Sequence, residues 1–108
     1  MAQDFTRYIA RSTGTAGATI FTADSDDAVI SVRLANIILT SIIVDVFITS
    51  SSLDYYLVKG ITIPSGSSLE LIDGASRIVM TSGDALKVDS NTDNSLDVWV
   101  SVVDAIST

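Results

Sequence analysis

The chain has 108 residues, 13 acidic against 6 basic side chains, a formal charge of −7, 47% hydrophobic residues, and neither histidine nor cysteine. That length suits one domain with one core, so 1–108 is read as a single β-sandwich domain, with 1–17 as an arm or edge strand. The missing residue types exclude disulfides, thiolate metal sites, the usual base near neutral pH and the usual nucleophile pairs, while the negative charge argues against nucleic acid as a ligand.

Little here favours a helix. Glutamate occurs once, at Glu70, and Val, Ile, Thr and Ser dominate in short runs split by turn residues. Such runs at intervals of about 8–12 residues point to a sandwich or barrel. The first strand is predicted over Phe5 to Arg11, followed by the small, flexible stretch 12–17. Ala18 to Thr22 comes next and ends in the acidic turn Asp24-Ser25-Asp26-Asp27. Ala28 to Leu39 reads as a long strand with Ile30, Val32 and Leu34 on one face. Its alternation breaks at Asn36-Ile37-Ile38-Leu39, which suggests a bulge or a stretch buried on both faces.

Ile42 to Thr49 puts Val44, Val46 and Ile48 on one face and Ile43, Asp45 and Phe47 on the other. Tyr55 to Ile63 follows, closed by Pro64-Ser65-Gly66. Leu69 to Ile72 and Arg77 to Met80 flank Asp73-Gly74, a pair favoured in tight hairpins. Ser82-Gly83-Asp84 turns the chain into Leu86 to Val88, and the polar tip Asp89 to Ser95 leads to a last strand, Leu96 to Ile106. There Leu96, Val98, Val100 and Val102 share one face, opposite Asp97, Trp99, Ser101 and Val103. The expected fold is all-β: one antiparallel β-sandwich, jelly-roll- or immunoglobulin-like, with about nine short strands.

No chemistry of turnover is expected, so the chain reads as a non-enzyme with no catalytic residues. A Ser with Asp but no His lacks the middle of a triad, and the acids lie mostly in turns, where Asp bonds the backbone. Asp89-Ser90-Asn91-Thr92-Asp93-Asn94 imitates half an EF-hand loop. Asn94 stands where glycine is required, however, and Val100 where a bidentate acid is required. Neither this cluster nor Asp24–Asp27 is expected to hold a metal, and no cofactor is expected. The basic residues Arg7, Arg11, Arg33, Lys59, Arg77 and Lys87 are scattered along the chain. No stretch is long and apolar enough for a spanning helix, and Met-Ala-Gln-Asp-Phe lacks a signal-peptide layout, so synthesis in a cytoplasm and no membrane partner are expected.

Apolar residues on both faces of some strands imply a subunit contact. The candidate interface residues are Ile37, Ile38, Ile43, Phe47 and Trp99.

Three stretches carry a resemblance: Thr19-Ile20-Phe21-Thr22, the run from Tyr55 to Leu71 with its Ile63-Pro64-Ser65-Gly66 turn, and Ile78 to Val88 with Ser82-Gly83-Asp84-Ala85-Leu86-Lys87-Val88. From about Thr19 onward the chain resembles small virion structural proteins of tailed phages, notably those infecting marine cyanobacteria. It departs from them at Ala23–Asp27, where many relatives carry a Val-Pro-x-Gly turn. The resemblance implies a virion location and other virion proteins as partners. Decoration or cement on the phage head is the leading role, with the major capsid protein as favoured partner and a homo-oligomer, favoured as a trimer, as the assembled form. The alternatives are a neck, tail or fibre-associated component, and a carbohydrate- or receptor-binding module using Asp93, Asn94, Trp99 and the tyrosines.

Overall fold

The computed structural model describes residues 4–71 and 78–104. Nine strands follow one another: β1 (Asp4–Thr13), β2 (Ala18–Thr22), β3 (Asp27–Asn36), β4 (Ile42–Ser50), β5 (Leu53–Ile63), β6 (Ser68–Glu70), β7 (Ile78–Met80), β8 (Ala85–Ser90) and β9 (Leu96–Asp104). They form two antiparallel sheets. Sheet A has the order β1-β9-β3-β6, with β7 also on β3; sheet B has the order β2-β8-β4-β5.

First strand pairs with last, second with next to last, and so inward until β4 meets β5 in a hairpin. This nested pairing is a jelly roll, and it settles the choice between jelly-roll and immunoglobulin-like order. The two strands β6 and β7 run in the same direction along β3, with Leu69 opposite Leu34 and Val79 opposite Ala28. They are successive pieces of one sheet edge and do not pair with each other as a hairpin. Asp73-Gly74 itself lies outside the described residues.

Period-2 burial builds the core. Val32, Leu34, Val44, Val46, Leu86, Val88, Val98, Val100 and Val102 are buried between the sheets, together with Ile42, Ile63, Met80 and Leu96. Ile48 is also buried, whereas Ile30 is only half-buried. The reason is a bulge: Val29 faces Val102 and Ser31 faces Ser101, leaving Ile30 without an opposite residue, and Val29 takes the inward position. Between the sheets, Tyr8 stacks flat on Phe21, ring centroids 4.2 Å apart.

The segment 36–39 is neither a bulge nor buried on both faces. Strand β3 stops at Asn36, and Leu39 projects almost fully into solvent, 94% exposed. Asn36 itself is buried and holds the β3–β4 loop. Its Nδ2 donates to the carbonyls of Thr40 (2.8 Å) and Ile63 (3.0 Å), and its Oδ1 accepts from the Ile38 amide at 3.0 Å. The predicted turns at Pro64–Gly66 and Ser82–Asp84 form, each closed by a backbone bond, Ser67 N to Pro64 O and Asp84 N to Thr81 O. Asp27, read as a turn residue, is instead the buried first residue of β3.

Both outer sheet edges formed by long strands are bent by bulges. In β1, Arg11 and Ser12 together oppose Asp97, with Ser12 at φ 53° and its amide donating to Asp97 Oδ1 at 3.0 Å. In β5, Lys59 and Gly60 oppose Asp45, with Gly60 at φ 74° and its amide donating to Asp45 Oδ1 at 2.7 Å. The left-handed backbone explains glycine at 60, and a bent edge is a poor template for unwanted strand pairing.

Candidate assembly surface

Alternation along β1 sends Tyr8 and Ala10 toward the core and Phe5, Arg7, Ile9 and Arg11 outward. The register then fixes their neighbours: Ile9 lies opposite Trp99 on β9, and Trp99 lies opposite Arg33 on β3. Three strands thus bring three of the six basic residues around the only tryptophan. Scattered in sequence, these arginines are gathered in space by the pairing of β1 and β3 with β9.

Phe5 is 82% exposed, Ile9 51% and Trp99 48%. The Arg7 guanidinium sits over the Trp99 ring, 5.2 Å from its centroid, a cation–π contact. A shallow groove of about 300 Å³ runs beside it, lined by Ile9, Arg11, Arg33, Ala35, Asp97 and Trp99. Arg33 is paired with Glu70 at 3.0 Å, and Glu70 also accepts from the Ser31 hydroxyl. Among the described residues neither Arg7 nor Arg11 has a carboxylate within 4.0 Å. Arg11 projects outward in phase with Phe5, Arg7 and Ile9, and the bulge that follows it turns Thr13 inward.

The outer face of sheet B has a different character. Phe47 and Tyr56 are cross-strand neighbours with ring centroids 5.0 Å apart, and Lys59 Nζ lies 4.4 Å from the Tyr56 ring. Asp45 lies directly opposite Asp89. Burial and then the Asp45 charge push the Asp89 carboxyl up from its ordinary value, against an opposing pull from Lys59. Lys59 Nζ is 4.0 Å from Asp45 Oδ2.

The five candidate contact residues do not form one patch. Trp99 stands on the outer face of sheet A; Ile43 (46% exposed) and the half-buried Phe47 stand on the outer face of sheet B, across the sandwich. Ile37 is exposed at the start of the β3–β4 loop, and Ile38 turns inward to pack against the core. Sequence reading passed over Phe5, Ile9, Leu53 and Val79, all exposed. Strict alternation along β1 was the available signal for Phe5 and Ile9.

The acidic tip 89–95 spends its oxygens on the fold. Asp93 Oδ1 accepts from the Thr15 amide (2.9 Å) and hydroxyl (2.8 Å), and these bonds hold its carboxyl below the ordinary value. Asn91 Oδ1 accepts from the Ile43 amide, and Ser90 and Ser95 share a buried hydroxyl contact of 2.6 Å. The residues proposed for a sugar site are not assembled: Tyr8 is stacked on Phe21, Tyr55 and Tyr56 lie on β5 of sheet B, and Trp99 lies on sheet A. Among the described residues, no group of three or more acids is placed to hold a metal ion, and no helix is long and apolar enough to cross a membrane.

No protein-family profile matches the chain, and no curated protein matches it in sequence. Solved structures do. The fold is similar to a chain of the T13 particle of infectious bursal disease virus, with a TM-score of 0.57 over 94% of this chain at 10% identity. It is also similar to a chain of the Gx strain of infectious bursal disease virus, with a TM-score of 0.53 over 97% at 10% identity. The chain spans about a third of those chains, 31% and 34%. At this identity the shared property is the fold, an antiparallel jelly-roll sandwich that in those structures is one part of a larger virus-particle chain.

Proposed function

We propose that this chain is a non-enzymatic structural component of a virus particle, and specifically a decoration or cement protein on the head of a tailed phage. The observation that carries this reading is the fold: almost the whole chain superposes on a portion of an icosahedral virus-particle chain. The surface supports it. Most of its exposed apolar side chains lie on strands, and the groove beside Trp99 is lined by Arg11, Arg33, Asp97 and aliphatic groups without a base–nucleophile pair. Trp and Arg on an exposed apolar face are the composition of contact sites between proteins.

A cement protein needs a rigid body, an adhesive face and a hydrophilic remainder. Many copies on a lattice let weak contacts sum through multivalency. The major capsid protein is the proposed partner. The test is to produce particles lacking this chain. Cementing predicts normal assembly and attachment with lower resistance to heat and dilution. Robust particles unable to attach to cells would replace this reading with a fibre or receptor role, and tailless particles with a neck or tail role.

A further inference from the structure

We propose that the arginine–tryptophan face of sheet A docks the acidic end of a second copy of this chain, giving a heterologous, head-to-tail contact. This rests on the reading of the chain as an assembling structural protein, and names the partner of that surface.

The two complementary surfaces are both present on each molecule. One end of the sandwich collects the β2–β3, β4–β5 and β7–β8 turns. The Ala23 amide donates to Asp84 O and the Gly83 amide to Ala23 O, while the Ser50 side chain bonds the Asp84 carboxyl. These turns place Asp24, Asp26, Asp54 and Asp84 at the same end of the sandwich, and no Lys or Arg occurs within residues 23–27, 50–54 or 81–84. Asp24 and Asp54 are exposed.

The arginines lie away from this end. Strand β3 leaves the acidic turn at Asp27 and reaches Arg33 six residues on, roughly 20 Å at the usual strand rise. Of the described acids near them, Glu70 is paired with Arg33, while Asp97 and Asp93 accept from the Ser12 amide and from Thr15 and are not within 4.0 Å of Arg7 or Arg11. Arg7 and Arg11 therefore make no ion pair among the described residues and stand beside exposed Phe5, Ile9 and Trp99.

A chain of net charge −7 repels its own copies unless its few cations are brought to the contact. A two-fold contact of this face with itself would set arginine against arginine. Face against acidic end satisfies both, and a heterologous contact closes only into rings of three or more or runs on as a filament.

The test uses two charge reversals on exposed or half-buried positions, Arg7→Glu with Arg11→Glu, and Asp24→Arg with Asp26→Arg. Circular dichroism first establishes that both fold. In sedimentation at micromolar to millimolar concentration, the wild type is expected to form species larger than a dimer that weaken with salt. Each reversed variant alone is expected to associate about tenfold more weakly or less. An equimolar mixture of the two variants, or one chain carrying all four substitutions, is expected to recover association. A wild type that stays at 11.4 kDa throughout, variants that associate like the wild type, or a mixture that fails to recover would each overturn the proposal. The virion reading fails separately, by particles that neither contain the chain nor lose robustness without it.

Discussion

Asp89 and Asp45 face each other across two strands, and like charges directly opposite on a sheet are unfavourable. Asp45 is compensated by the Gly60 amide and by Lys59; at Asp89, burial and the facing Asp45 charge make the carboxyl hold its proton more tightly than an unfolded aspartate does. A raised folded-state value means that the native state is penalised where Asp89 is ionised, at neutral pH and above. The penalty is relieved as pH falls toward the ordinary carboxylate range. Asp89→Asn is therefore expected to raise the melting temperature at pH 7, with an advantage that shrinks as pH is lowered to about 4. Thermal melts of both proteins across that range check it. Asp93 and Asp84 have the opposite sign. Their carboxyls are lowered by hydrogen bonds to the ionised form, so the stability they add is present above the ordinary value and lost on acidification.

Gly14 is the tightest residue-scale constraint. A Cβ built there would meet Asp93 Cα at 2.7 Å and Asp93 Oδ1 at 2.6 Å, while the Gly14 carbonyl accepts from the Gly17 and Ser90 amides. Backbone cannot yield as a flexible side-chain tip does. Gly14→Ala is expected to cost about 1–3 kcal/mol by forcing the β1–β2 and β8–β9 loops apart. Equilibrium denaturation with an unchanged slope checks this.

At the scale of elements, the strands and most turns were legible because period-2 burial and Gly–Asp or Pro–Gly chemistry are local. Val44, Val46 and Ile48, or Leu96 to Val102, read correctly from spacing alone. Bulges were not legible: the extra residue at Ile30 depends on how β3 meets β9, and nothing in Val29-Ile30-Ser31 announces it. The end of β3 was misjudged for a similar reason. Four residues from Asn36 to Leu39 look like buried strand, but the Asn36 side chain spends its polar groups on the loop and stops the ladder. Asn36→Leu is expected to destabilise the protein by about 2–4 kcal/mol, since the buried carbonyl of Ile63 and the partly buried carbonyl of Thr40 lose their donor. Hydrogen exchange should show the loss first at the Ile38 amide, whose acceptor is Asn36 Oδ1.

Across the whole molecule, surface chemistry is what sequence order concealed. Arg7, Arg11 and Arg33 are spread over 27 positions, yet the pairing of β1 and β3 with β9 places them around Trp99. Only the non-local closure of the jelly roll, first strand on last, creates that face. The same closure separates Ile43 and Phe47 from Trp99 by the thickness of the sandwich, so surplus apolar residues that look equivalent in sequence serve two different surfaces. An acidic body with a basic, aromatic patch suits repeated contacts on a lattice better than capture of a single small ligand.

The proposed role places this body in repeated copies on a virus head. Its most direct measurement is the number and position of copies in intact particles, by quantitative mass spectrometry with labelled reference peptides and by imaging at domain resolution. A decoration protein would be present at a fixed ratio to the major shell protein, with density for a two-sheet sandwich repeated over the head surface. A few copies confined to one vertex or to the tail, or absence from purified particles, would contradict it.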